Sequence, residues 1–334
     1  MIDQSLMNDV KGEFFEFLVG RKLAQLFQVE KDFYFSMGVK KLSHLIGQEK
    51  YIRECDVSLI EKFTILANKT SEVIEKKILN LLLFLNERSM GKRIKIERVM
   101  LLGDEYREEK DLGLILTNEK QYYISLKLCK NQSFVNTKSA GISSFLSTYF
   151  FSDITLEIEN EFKEKCYFAH NMLANNLNDQ HALESTDQFD HYKKENYPTL
   201  PGQLKGKFQN YLFKYYGECS MALFHSLDKI RKNRFPCFQR GLGKIMGLGN
   251  PQTLQVICFH SGTLDYDLKK ILCDYYSDKS SFLRNVKMLS PKVNQTSFGI
   301  LMSKKQLQIR IKPMREFTES SPKINCSVKW ENEF

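Results

Sequence analysis

The chain has 334 residues, 42% of them apolar and 27% charged, so it can bury a sizeable core and does not have the composition of a disordered polymer. Its formal net charge is +9, from 49 Lys and Arg against 40 Asp and Glu, a modest excess that suits a partner carrying phosphates. The longest apolar run, Leu81 to Leu85, is far too short to span a bilayer, which argues against a membrane protein. Met1-Ile2-Asp3-Gln4-Ser5 shows no basic segment leading into an apolar one, so no signal peptide is expected. Eight cysteines include no CxxC pair and no Cys/His zinc spacing; reduced, buried thiols in a cytoplasmic protein are the expectation.

Taken in chain order, residues 8–27 read as an amphipathic helix through Phe14, Phe17, Leu18, Leu23, Leu26 and Phe27. Glu13 and Glu16 fall one turn apart on it. Further helices are expected over 59–67 and 71–86, the second stopped by Gly91. The period then changes. Residues 93–102, 112–117 and 121–129 read as strands of a β-meander, with a charged loop at 103–110 and a turn at Asn118 to Lys120. A polar loop is expected at 131–137, then helices at 139–150 and 153–174. Residues 175–201 are polar and mark an interdomain loop or lid. A long helix over 204–232, a strand over 254–259 and a hairpin of 298–302 with 307–312 complete the pattern. The fold class implied is α/β (α+β), divided into a core at 1–155 and a recognition and sheet-completing region at 156–334.

The segment that carries chemistry runs from Asp111 to Leu128. On its second strand Ile124, Leu126 and Leu128 point one way, and Ser125 and Lys127 the other. An inward lysine on an apolar strand is costly without a partner, and Asp111, opening the preceding strand, can supply one.

Asp111 followed by Ser125-x-Lys127 on the next strand resembles the PD-(D/E)xK nucleases, in particular type II restriction endonucleases. In that family an aspartate opens one strand and an acid-x-Lys triplet follows on the next. The two acids hold Mg²⁺, and the lysine orients or activates the attacking water. Ser125 stands where the family usually has Glu or Asp, and Lys110 where it has Pro. The resemblance implies a restriction-endonuclease-like core, a central mixed β-sheet flanked by helices. It also implies Asp111, Ser125 and Lys127 as catalytic residues and Mg²⁺ as cofactor.

One aspartate alone holds Mg²⁺ weakly, so a second carboxylate must be recruited. Glu13 or Glu16 is the expected source, with Asp104, Glu105 and Asp153 as alternatives. Double-stranded DNA is the expected partner, with a homodimer if the target is a palindrome. Contacts to it are expected from Lys130, Asn136 and Lys138, from the basic cluster Arg231, Lys232, Arg234, Arg240 and Lys244 interleaved with Phe235 and Phe238, and from Arg310 and Lys312. The competing reading is a non-catalytic DNA- or RNA-binding protein with a degenerate nuclease core.

Gly241-x-Gly243 with Gly247 has the wrong spacing for a dinucleotide loop and reads as a turn. His170-Asn171 with His181 lies in helix and loop and does not form an HNH site. His260 reads as an end-of-strand histidine.

Overall fold

The computed structural model describes residues 4–88, 93–102, 110–130, 134–151, 153–181, 206–246, 252–262, 266–275, 283, 285–303, 305–314 and 320–330. They form a mixed α and β protein of seven helices and two five-stranded sheets. No described helix is long and apolar enough to cross a membrane. The chain packs as two units, residues 1–133 with 250–277 and residues 134–249 with 278–334, a different division from the expected one at 155.

The first unit starts with helices α1 (Gln4–Leu26), α2 (Glu30–Cys55) and α3 (Val57–Arg88). Strands β1 (Ile96–Leu101), β2 (Leu112–Leu116) and β3 (Gln121–Lys130) follow as an antiparallel meander, as the alternating pattern predicts. Asn118 Oδ1 accepts from the Lys120 N–H at 3.3 Å within the β2–β3 turn, which holds Glu119 at a φ of 64°. Strand β5 (Thr253–His260) adds parallel to β3, and β6 (Leu268–Tyr275) adds antiparallel to β5. The sheet is therefore mixed, in the order β1-β2-β3-β5-β6. One face buries Leu112, Leu114, Ile124, Leu126, Leu254 and Val256 in a single core with Phe14, Phe17 and Val19 of α1 and Phe63, Ile74 and Ile78 of α3. Burial of such side chains supplies roughly 1.5–3 kcal/mol each and fixes α1 against the sheet.

Two expectations for this unit are corrected. The helices expected at 59–67 and 71–86 are one continuous α3, because Thr70 and Ser71 interrupt nothing: Ser71 Oγ donates back to the Ala67 carbonyl at 2.8 Å. Helix α2 was not anticipated. It is kinked at Gly38, whose φ is 67°, and it leaves Phe35, Val39 and Ile46 exposed, so no single apolar stripe marks it.

The second unit holds strand β4 (Val135–Gly141), helices α4 (Phe145–Phe150), α5 (Asp153–His181), α6 (Lys207–Asn233) and α7 (Phe235–Ile245), and strands β7 (Lys287–Leu289), β8 (Ser297–Met302), β9 (Lys305–Lys312) and β10 (Lys323–Trp330). Its sheet is antiparallel throughout, in the order β4-β10-β9-β8-β7. The expected β8–β9 hairpin is present. The polar loop expected at 131–137 is corrected at its described end, where Val135 already pairs with Val328. The helix expected at 139–150 is only α4, because Ser139 to Gly141 belong to β4. The glycines at 241 and 243 lie inside helix α7 rather than in a turn. A Cβ on Gly241 would stand 2.2 Å from the Phe150 ring, so the glycine lets α4 and α7 approach. Residues 182–201 of the expected interdomain loop lie outside the described residues; 175–181 continue α5.

Candidate active site

Asp111 is positioned by both neighbours of its strand. Its carbonyl accepts from the Leu102 N–H at 3.0 Å, after β1, and its own N–H donates to the Ile124 carbonyl of β3 at 3.0 Å. Its carboxylate accepts from the backbone N–H of Leu126 at 2.5 Å. Leu126 stands between Ser125 and Lys127, so the aspartate is clasped against the Ser-x-Lys triplet. Ile124 and Leu126 enter the core, which places Ser125 and Lys127 on the opposite side of the pleat.

Ser125 is fully buried, and its Oγ makes no hydrogen bond of regular geometry among the described residues. The hydroxyl is still close enough to Asp111 to favour the ionised carboxylate. Burial opposes it and dominates, so the Asp111 pKa is raised; Lys127, the Leu126 N–H and Ser125 each pull it back down.

Glu16 of α1 belongs to the same cluster. Burial, then the repulsion of Asp111, push its carboxyl up to about 8, with Lys127 pulling down, Glu13 pushing up and Lys41 pulling down. Lys41 comes from α2, where its Nζ donates to the Leu102 carbonyl at 3.0 Å. Helix α1, helix α2 and the β2–β3 hairpin therefore converge on two carboxylates and two ammonium groups.

Glu13 is engaged differently. Its carboxylate accepts from Gln48 and pairs with His44 Nε2 at 3.2 Å, both on α2. It influences Glu16 but is occupied by a neighbouring helix. Lys41, Gln48 and His44 were missed in the sequence because α2 itself carries no periodic signal. Asp104 and Glu105 lie outside the described residues, as does the side chain of Asp153, which opens α5 in the second unit.

Among the described residues no group of three or more His, Cys, Asp or Glu could hold a metal ion. Mg²⁺ commonly takes one or two protein carboxylates, with waters and phosphate oxygens completing its octahedron. Asp111 and Glu16 are two half-buried carboxylates close enough to repel and held toward the protonated form, and Ser125 Oγ lies buried beside Asp111 without a regular hydrogen bond among the described residues. Hard oxygen donors, carboxylates foremost, are the donor set that a Mg²⁺ ion suits.

The residues expected to meet DNA divide between the units. Lys130 ends β3, exposed, in the first. The others belong to the second. Asn136 of β4 accepts from Asn325 Nδ2 at 3.0 Å, and Asn325 is the register partner of Arg310 on β9. Lys312 pairs in register with Lys323; burial, then the charges of Arg310 and Lys323, depress the Lys312 pKa. Asn136, Arg310 and Lys312 thus share the polar face of one sheet, opposite the buried Leu307, Ile309 and Ile311. Lys138 lies on β4 beside Cys326.

The basic cluster is thinner than its sequence suggests. Arg231 and Lys232 both pair with Asp228, at 2.7 Å each, while Arg234, Arg240 and Lys244 are exposed. Phe238 is fully buried against Phe150 and is not available for stacking, whereas Phe235 is exposed. His170 lies within α5 with its ring against Tyr215, and His181 ends the same helix, so among the described residues the two form no HNH hairpin.

All eight cysteines are free, six of them buried; burial pushes the half-buried Cys129 thiol up to about 12, so it supplies no thiolate nucleophile. In comparisons with known proteins, no family model, no curated protein and no solved structure matches this chain.

Proposed function

We propose that the chain is a Mg²⁺-dependent endonuclease of the type II restriction kind, hydrolysing phosphodiester bonds in double-stranded DNA at a specific sequence. The observation that carries this reading is the convergence of Asp111, Glu16 and Lys127, with Asp111 bonded to the backbone between Ser125 and Lys127. The mixed sheet, with β5 parallel to β3 and helices packed on one face, is in keeping with the core that the PD-(D/E)xK resemblance implies.

In this reading Asp111 and Glu16 would hold the ion, and Glu13, taken up by Gln48 and His44, would not. An ion held by these residues would supply neutralisation of charge on the non-bridging phosphate oxygens and activation of water. Lys127 orients the attacking water and offsets the negative charge that develops on the phosphate. Lys41, whose charge lowers the Glu16 pKa, steadies the ionised carboxylate. The Ser125 hydroxyl, buried beside Asp111, favours its ionised carboxylate. The polar face of the second sheet, with Asn136, Arg310 and Lys312, and the exposed Arg234, Arg240 and Lys244 of α7 supply DNA contacts, and Lys130 and Lys138 meet phosphates. A palindromic target adds a homodimer.

The departure at Ser125, together with the lack of a three-acid group among the described residues, favours the second reading, a DNA- or RNA-binding protein without catalysis. Digestion of an unmethylated phage genome with purified protein and Mg²⁺ separates the two. Discrete fragments with a shared sequence at their ends support the nuclease. Intact DNA that is nevertheless shifted in a gel supports the binding module.

A further inference from the structure

Away from the acids, the first unit contains a second polar cluster. Lys11 of α1 is only 8% exposed, and Tyr266, just before β6, only 6%. Lys11 Nζ donates to the Tyr266 hydroxyl at 3.0 Å and lies 5.2 Å from the ring centroid. His260, the last residue of β5, stacks on the same ring at 4.4 Å with 23° between the planes. Phe63 closes the other side edge-on at 4.8 Å. Tyr266 is held at a φ of 49°, a left-handed backbone that bulky side chains rarely adopt and that tends to mark functional sites.

This cluster lacks negative charge. A buried ammonium is costly unless an anion compensates it. Among the described residues Lys11 makes no ion pair; the acidic charge it influences, Asp56, is hydrogen-bonded by Ser58 instead. Tyr266 takes one of the three ammonium protons. Two Lys11 N–H groups and the Tyr266 O–H are left as donors without an acceptor among the described residues. His260 Nδ1 lies 2.8 Å from the Gly262 carbonyl, so the ring is fixed in place. Burial lowers the His260 pKa, the Gly262 carbonyl raises it, and the positive charges of Lys11 and Lys130 lower it further. Lys130 pairs with His260 in the β3–β5 register and is exposed.

We propose that Lys11, Tyr266 and His260 form a phosphate-binding site, with Lys11 and Tyr266 donating to the phosphate oxygens and Lys130 drawing the anion in. The ligand chemistry is a phosphate group, either free or at a nucleic-acid end. The site stands whether or not the protein cuts DNA. It shares elements with the acidic cluster: Lys11 lies about 7.5 Å along α1 from Glu16, and Lys130 about 10 Å along β3 from Lys127.

The test is thermal unfolding of the full chain in sodium phosphate and in sodium chloride of equal ionic strength, for wild type, Lys11→Met and Tyr266→Phe. Phosphate at tenfold saturation is expected to raise the wild-type Tm by about 2–4 °C over chloride. Both variants lose that rise, and Lys11→Met, freed of its buried charge, melts in chloride no lower than wild type. Should Lys11→Met fail to fold, Tyr266→Phe, which keeps the ring and its stack, decides. Competition with duplexes bearing a 5′-phosphate or a 5′-hydroxyl then assigns the source: displacement by the 5′-phosphate duplex alone identifies a nucleic-acid end, and displacement by neither identifies the free ion. A wild type that phosphate does not shift, or variants that shift as far as wild type, overturns the site.

Discussion

The carboxylate of Asp111 accepts a hydrogen bond from the backbone N–H of Leu126 at 2.5 Å, although 15 residues of chain separate them. The bond ties the opening of β2 to the residue between Ser125 and Lys127. It also gives the aspartate a structural task beside any chemical one, and a substitution that removes the acceptor confuses the two. A substitution that keeps an oxygen and removes only the charge separates them.

Lys127 shares its surroundings with two acids and lowers the pKa of both. Replacing it with methionine keeps much of the stem and removes the charge. Lys127→Met is expected to lower the DNA cleavage rate by about 100-fold or more, as for loss of an electrostatic or acid–base group. The variant stays folded, and circular dichroism with single-turnover cleavage checks both statements. A variant that is insoluble, or one that cuts normally, assigns the lysine to structure alone.

Glu16 gives a pH dependence with a definite sign. Its folded pKa of about 8 stands above the 4.5 of the free side chain. Below pH 4.5 both states carry the proton and Glu16 does not affect stability. Between 4.5 and 8 the unfolded chain ionises while the folded chain keeps the proton, so its contribution falls as pH rises and then levels off above 8. Glu16→Gln is therefore expected to be more stable than wild type at pH 8 and equal to it near pH 4, read from urea midpoints. A bound divalent ion favours the carboxylate, so the apparent Mg²⁺ affinity of wild type climbs with pH up to about 8. Equal midpoint differences at both pH values contradict this account.

The two glutamates of α1 are expected to differ. Glu13 is taken up by Gln48 and His44, whereas Glu16 faces Asp111. Glu16→Ala should lose cleavage by about 100-fold or more, as for an essential group of the site. Glu13→Ala should lose less than about tenfold, because its effect reaches the acids only through Glu16. Kinetics across a Mg²⁺ titration checks the order, and the reverse order moves the metal site toward α2.

Gly241 tests the packing of the second unit. A Cβ there meets the Phe150 ring at 2.2 Å, so Gly241→Ala forces α4 and α7 apart despite alanine's better helix propensity. A destabilisation of about 1–3 kcal/mol is expected in chemical denaturation. A gain in stability refutes the close approach.

The β2–β3 hairpin was legible because strands of alternating character flank a short polar turn, and the same alternation put Lys127 opposite Ile124 and Leu126. Glu16 was legible only as one of two candidates for the second carboxylate that Mg²⁺ needs, since helix phase alone left Glu13 equal to it. Local pattern cannot show that β5 joins β3 in parallel, because the whole segment 134–249 intervenes and packs in the other unit. Strand β6 carries Lys269, Lys270 and Asp274 among its apolar residues, which hid it. Lys11 and Lys41 carry no signal in the sequence; only the tertiary fold gives one a phenol and the other a strand-end carbonyl as partner.

The most direct test of the nuclease reading compares wild type with Asp111→Asn, which keeps an oxygen to accept from the Leu126 N–H but loses the charge. Cleavage of supercoiled plasmid is followed in Mg²⁺ and in EDTA, and binding of the same DNA is measured in Ca²⁺. Wild type is expected to cut in Mg²⁺ and not in EDTA. Asp111→Asn is expected to lose at least about 100-fold in rate, as for loss of an essential electrostatic group, with DNA binding and Tm close to wild type. Cleavage by wild type that persists in EDTA, or an Asp111→Asn protein that cuts at the wild-type rate, contradicts a metal-dependent nuclease site at Asp111.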